Sequence, residues 1–133
     1  MYARTRDIEA RGGICLRICI EPSPFGAMVR LERLDGACCP SALLSLYGTE
    51  ILSGFIMAAR LSIPFPIPDE NVEGHLPVRF HLDCSGGARV VIEQEGNRPL
   101  LIDEPLWDRL YAELCLVIAH GRELARLAGI SLH

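Results

Sequence analysis

Between residues 14 and 21 apolar and polar side chains alternate. Ile14, Leu16, Ile18 and Ile20 fall on one side, and Cys15, Arg17, Cys19 and Glu21 on the other. Period two is the spacing of a strand with one buried face, so a strand is predicted here. Pro22-Ser23-Pro24-Phe25-Gly26 supplies turn chemistry, and the run from Met28 to Leu34 resumes the strand pattern, which predicts an antiparallel hairpin that ends at Asp35-Gly36. The pattern then changes. Pro40 suits the first position of a helix, because its missing N–H would have no partner there. From Leu43 to Leu61 large apolar residues cover more than one stripe, and Glu50 and Arg60 are the only charges. A helix over 40–61 would therefore have little solvated face.

Residues 62–77 carry four prolines, each removing a backbone donor and pushing the preceding residue toward extended geometry, so this stretch reads as an extended connector. Val78, Phe80, Leu82 and Cys84 alternate with Arg79, His81 and Asp83, and Ser85-Gly86-Gly87 turns the chain into Ala88, Val90 and Ile92. After the turn Glu95-Gly96-Asn97, Leu100-Leu101-Ile102 predicts a third strand. Asp103 or Glu104 can cap a last helix in which Leu106, Leu110, Leu114, Val117 and Leu124 recur at helical spacing, with Gly129 at its end. The order β-β-α-β-β-β-α predicts an α+β domain over residues 13–130, one antiparallel sheet with two helices packed against it. Residues 1–12 read as a flexible N-terminal arm. No internal repeat is apparent.

Composition narrows the chemistry. The chain has 133 residues, a formal charge of -4 and no lysine, its thirteen basic residues all being arginine. Without an amine nucleophile, Schiff-base chemistry, a pyridoxal linkage and a P-loop lysine are excluded. An arginine-only basic set also fits a GC-rich genome. Charges of both signs are interspersed, which argues against nucleic-acid binding. A mean hydropathy of +0.25 leaves apolar surface to spare for a partner. The first thirteen residues lack the apolar core of a secretory signal, so a cytosolic location is expected, with the six cysteines as buried thiols rather than disulfides.

Candidate chemistry is sparse. Cys15 and Cys19 stand four strand residues apart, roughly 13 Å, too far to share a zinc ion or a disulfide. Cys38 and Cys39 precede the predicted helix, whose dipole could activate a thiol, and are the reactive-thiol candidates. His81 and Asp83 share the polar side of one strand, and His75 lies in the proline-rich connector; together they could line a pocket. No dinucleotide, phosphate-loop, zinc-protease or nucleophile-elbow motif occurs, and neither a metal nor a cofactor is expected.

The middle helix is the strongest feature. Glu50 at its centre argues against a membrane span. As a core helix it needs cover on both sides, and one sheet with one other helix offers too little. Small residues at four-residue spacing, Ser45, Thr49 and Ser53, suggest an interface, with Leu52, Phe55 and Ile56 beside them. The element order resembles that of roadblock-like and type III secretion chaperone-like small α+β proteins, which implies fold and no activity. The expected function is a non-enzymatic binding or regulatory module, a homodimer or a protein-partner binder, using the helix. The alternative is a small enzyme or ligand-binding protein with a pocket near Cys39 or His81 and Asp83, roofed by residues 62–77.

Overall fold

The computed structural model describes residues 4–10, 13–24, 26–35, 39–63, 65–127 and 129. Eight strands and two helices follow in the order β1 (Arg4–Ala10), β2 (Gly13–Ser23), β3 (Gly26–Arg33), β4 (Ser41–Ser45), α1 (Leu46–Ser62), β5 (Glu70–Val72), β6 (Val78–Asp83), β7 (Arg89–Glu93), β8 (Leu100–Asp103) and α2 (Trp107–Leu127). A single 3-10 turn, Glu104–Leu106, leads into α2. Both sheets are four-stranded antiparallel meanders, β1-β2-β3-β4 and β5-β6-β7-β8. The architecture is α+β with two helices, as the alternation predicts.

Four features differ from the sequence expectation. There are two sheets rather than one, and each is followed by a helix, so a four-strand-plus-helix order occurs twice although no sequence repeat signals it. The seven-element order that carried the family resemblance is thereby replaced. The supposed N-terminal arm contains β1, whose seven residues pair with β2 and bury Ile8 at 1% exposure. Its charges, Arg4, Arg6, Asp7 and Glu9, fit the polar positions of an edge strand, where charged side chains blunt further pairing. Residues 1–3, 11 and 12 of that segment lie outside the described residues.

The middle helix begins at Leu46, six residues after Pro40. Ser41–Ser45 form β4 instead, with Ala42 and Leu44 buried and Ser41, Leu43 and Ser45 partly exposed. Proline is as well suited to the start of a strand as to that of a helix, which is why the signal misled. Ser45 is the cap of α1: its hydroxyl accepts from the Gly48 N–H at 3.0 Å, and its carbonyl accepts from Thr49 Oγ1 at 2.9 Å. The proline-rich connector, finally, contains the short strand β5.

The helices lie antiparallel. Arg122 of α2 bonds Glu50 of α1, and Arg60 Nε lies 2.9 Å from Asp108 Oδ1. Near one end of the pair Gly121 permits close approach, since a Cβ there would stand 2.7 Å from Leu46 Cδ1. Arg6 of β1 ties its sheet to α2 through a bidentate bond to the buried Glu113, at 2.6 and 3.2 Å. The core runs across both sheets and both helices, with Trp107 and Phe80 its largest fully buried side chains. Trp107 keeps its indole N–H satisfied on the Ile102 carbonyl at 2.9 Å.

Candidate functional site

Hydrogen-bond parity decides which backbone groups the two sheets leave open. Arg33 N–H donates to the Pro40 carbonyl at 2.9 Å, so Arg33 and Pro40 form a bonded pair and the alternation continues through Leu31 with Ala42 and Val29 with Leu44. Ser41 and Leu43 consequently turn their N–H and C=O away from β3, along the outer edge of the first sheet. In the second sheet Glu104 N–H donates to the Ala88 carbonyl, which by the same counting turns Leu101 of β8 outward.

Each of these edges is closed by a side chain from the other sheet. Gln94, just after β7, accepts from Leu43 N–H on Oε1 at 2.8 Å and donates from Nε2 to the Leu43 carbonyl at 2.7 Å. One carboxamide thus satisfies both peptide groups of one edge residue. Its Nε2 also reaches the Pro77 carbonyl at 3.2 Å, and Asn97 Nδ2 donates to its Oε1 at 3.0 Å. Reciprocally Arg33, at the end of β3, donates from Nη1 to the Leu101 carbonyl at 2.5 Å while its Nε and Nη2 grip Asp35 at 2.6 and 2.9 Å. Asp103 stands 3.6 Å from Nη2. The Arg33 bond holds the Asp35 carboxyl below the ordinary carboxylate range.

Around Gln94 opens a groove of about 810 Å³. Ser41 and Leu43 of β4 line one side, Leu76 and Pro77 contribute apolar surface, and Val72 and Val78 lie buried beneath. Arg79 is held by Asp69 and stands 3.7 Å from Glu93. Glu73, Glu95 and Arg30, the last 4.0 Å from Glu21, complete the rim, and among the described residues neither Glu73 nor Glu95 is engaged in an ion pair.

The residues singled out from sequence do not converge on this groove. Thr49, Leu52, Phe55 and Ile56 are at most 3% exposed, covered by the chain's own sheets and by α2, and Ser45 is spent on its cap. As a surface for a partner they are therefore displaced: the second sheet is the cover that one sheet and one helix seemed to lack. Cys39 is exposed at a positive φ of 42° and precedes a strand, so the dipole expected to activate it is absent. Cys38 lies outside the described residues. His81 Nε2 meets Glu93 Oε1 at 2.5 Å rather than Asp83. Asp83 instead accepts from the Ser85 N–H and hydroxyl at 2.9 and 2.7 Å, bonds that lower its pKa and stiffen the β6–β7 turn. His75 is exposed in the connector and, like His81, Asp83 and Cys39, does not line the groove.

Gln94 and Arg33 were missed because neither carries a motif. The turn beside Gln94 is visible in Glu95-Gly96-Asn97, but its partner is 51 residues away, and Arg33 meets Leu101 across 68. Among the described residues no three His, Cys, Asp or Glu side chains gather as a metal site, the five cysteines form no disulfide, and no helix is long and apolar enough to cross a membrane. Compared with models of protein families, with curated proteins and with solved structures, the chain matches none.

Proposed function

We propose that this protein is a non-catalytic binding module that pairs with a second copy of itself through the outward face of α1 and α2. The carrying observation is the apolar character of that face. On α1, Tyr47 and Leu61 are 58% and 78% exposed, with Gly54 and Ala58 exposed on the same side. On α2, Leu116 is 56% exposed, between Ala112 and Ala119. Small residues along both helices let a second helix pair approach closely, and the large ones at the margins would fill its grooves. Each end of the face carries an ion pair, Glu50 with Arg122 and Arg60 with Asp108, so neither end presents a net charge that would repel a second copy.

The area fits a modest affinity. A 17-residue helix is about 25 Å long, and two helices about 9 Å apart present roughly 500 Å² per copy, near the lower bound of a specific interface when doubled. The helical location agrees with the sequence expectation, but the residues differ: Tyr47, Gly54, Ala58, Leu61 and Leu116 replace the buried set. Sedimentation velocity over a concentration series tests the reading. A monomer–dimer equilibrium in the micromolar range is expected, abolished by Ala112→Glu with Leu116→Arg, whose side chains lie outside the core. A monomer at all concentrations overturns it.

A further inference from the structure

The groove beside β4 points to a second kind of recognition, independent of the helical face. Leu43 receives from Gln94 an acceptor at its N–H and a donor at its carbonyl, the same two groups that a residue of an adjoining antiparallel strand would offer. Ser41, in step with Leu43, turns its peptide groups into the same groove. Residues that point to one side of an added strand would lie over Leu76 and Pro77, with the buried Val72 and Val78 beneath. Those pointing to the other would meet a rim in which Glu73, Glu93 and Glu95 outnumber Arg30 and Arg79 and in which, among the described residues, Glu73 and Glu95 are in no ion pair. The five residues of β4 span about 16 Å, and a groove of about 810 Å³ is in the range that holds a ligand of several residues.

We propose that this groove binds an extended polypeptide segment from another protein as a fifth strand on β4, with apolar side chains at alternate positions and lysine or arginine between them. The carboxamide of Gln94 acts as a latch that the segment displaces. Displacement is cheap for the latch, because Gln94 keeps two other contacts at hand, the Pro77 carbonyl for its Nε2 and the Asn97 amide for its Oε1. Main-chain bonds to Leu43 and Ser41 would give affinity, and the apolar surface of Leu76 and Pro77 with the glutamates of the rim would give preference for sequence.

The test uses the full-length chain, labelled with ¹⁵N, titrated with a capped heptapeptide alternating valine and lysine. Controls are the valine–glutamate counterpart and a version with proline at the hydrogen-bonding positions. Saturable shifts are expected at the Leu43 and Ser41 amides and the Gln94 side-chain amide, with the proline version inert. Gln94→Ala removes the competing latch and is expected to tighten binding about tenfold, the order set by two hydrogen bonds in competition. A second variant that leaves the latch intact, Glu73→Lys with Glu95→Lys, is expected to weaken the lysine probe about fivefold and favour the glutamate one. Absence of saturation by roughly 1 mM in both the wild type and Gln94→Ala overturns the proposal. So do tighter binding of the proline version and shifts confined to α1 and α2.

Discussion

The two clamps that join the sheets solve one problem with different chemistry. At Leu43 a neutral carboxamide supplies one donor and one acceptor and closes both groups of an edge residue. At Leu101 a guanidinium, which can only donate, closes the carbonyl alone and must be balanced by carboxylates, Asp35 by direct bond and Asp103 close by. The amide site borders an open groove, whereas the Arg33 side chain is only 17% exposed and fixed by bonds to Asp35 and the Leu101 carbonyl, with Asp103 3.6 Å away. An edge held by a neutral, exchangeable group can be reopened by a competitor offering the same pair of groups. An edge held by a charge network cannot be reopened without stranding charges.

The largest expected effect is at the charged clamp. Arg33→Met keeps the side chain's length but leaves the Leu101 carbonyl open and Asp35 without its cation, while Asp103 keeps only the more distant Arg89, at 3.9 Å. A loss of about 2–3 kcal/mol is expected, read from urea denaturation. Gln94→Glu should follow at about 1–2 kcal/mol, because a carboxylate still accepts from Leu43 N–H but sets negative charge against its carbonyl. Gln94→Ala, leaving an exposed edge that water can reach, should cost about 1 kcal/mol or less. If Gln94→Ala costs more than Arg33→Met, the distinction between an exchangeable latch and a fixed strut is lost.

Acid should separate the clamps further. Because the folded pKa of Asp35 is depressed by the Arg33 bond, its contribution is fully present above the unfolded value of about 3.9 and fades as pH falls through the lower folded one. Gln94 does not titrate. Below about pH 4 the stability difference between the wild type and Asp35→Asn should therefore shrink, while the difference between the wild type and Gln94→Ala should hold steady. Denaturation midpoints at pH 7 and pH 3 would show it.

Much of this fold was legible along the chain. The alternations at β2, β3, β6 and β7 mark strands and the faces they bury, and the spacing from Leu110 to Leu124 marks α2. Those patterns are local, and burying one face of a strand or helix suffices to write them. Two strands were harder to read. β4 hides in Ala42-Leu43-Leu44, residues as compatible with a helix as with a strand, and β1 hides behind charges that an edge strand tolerates. The candidate site was not legible at all, since Gln94 and Arg33 look like ordinary polar residues at the ends of strands.

What the sequence alone determined, then, is the α+β class, most of the strands and the buried stripe of the last helix, together with the exclusion of lysine chemistry. Only the tertiary structure decided that there are two sheets, that the second one covers α1, and that Gln94 and Arg33 meet the opposite edges. The physical reason is range. Periodicity records which side of an element faces the core, whereas the partner of an edge peptide group depends on where segments 51 and 68 residues apart come to rest.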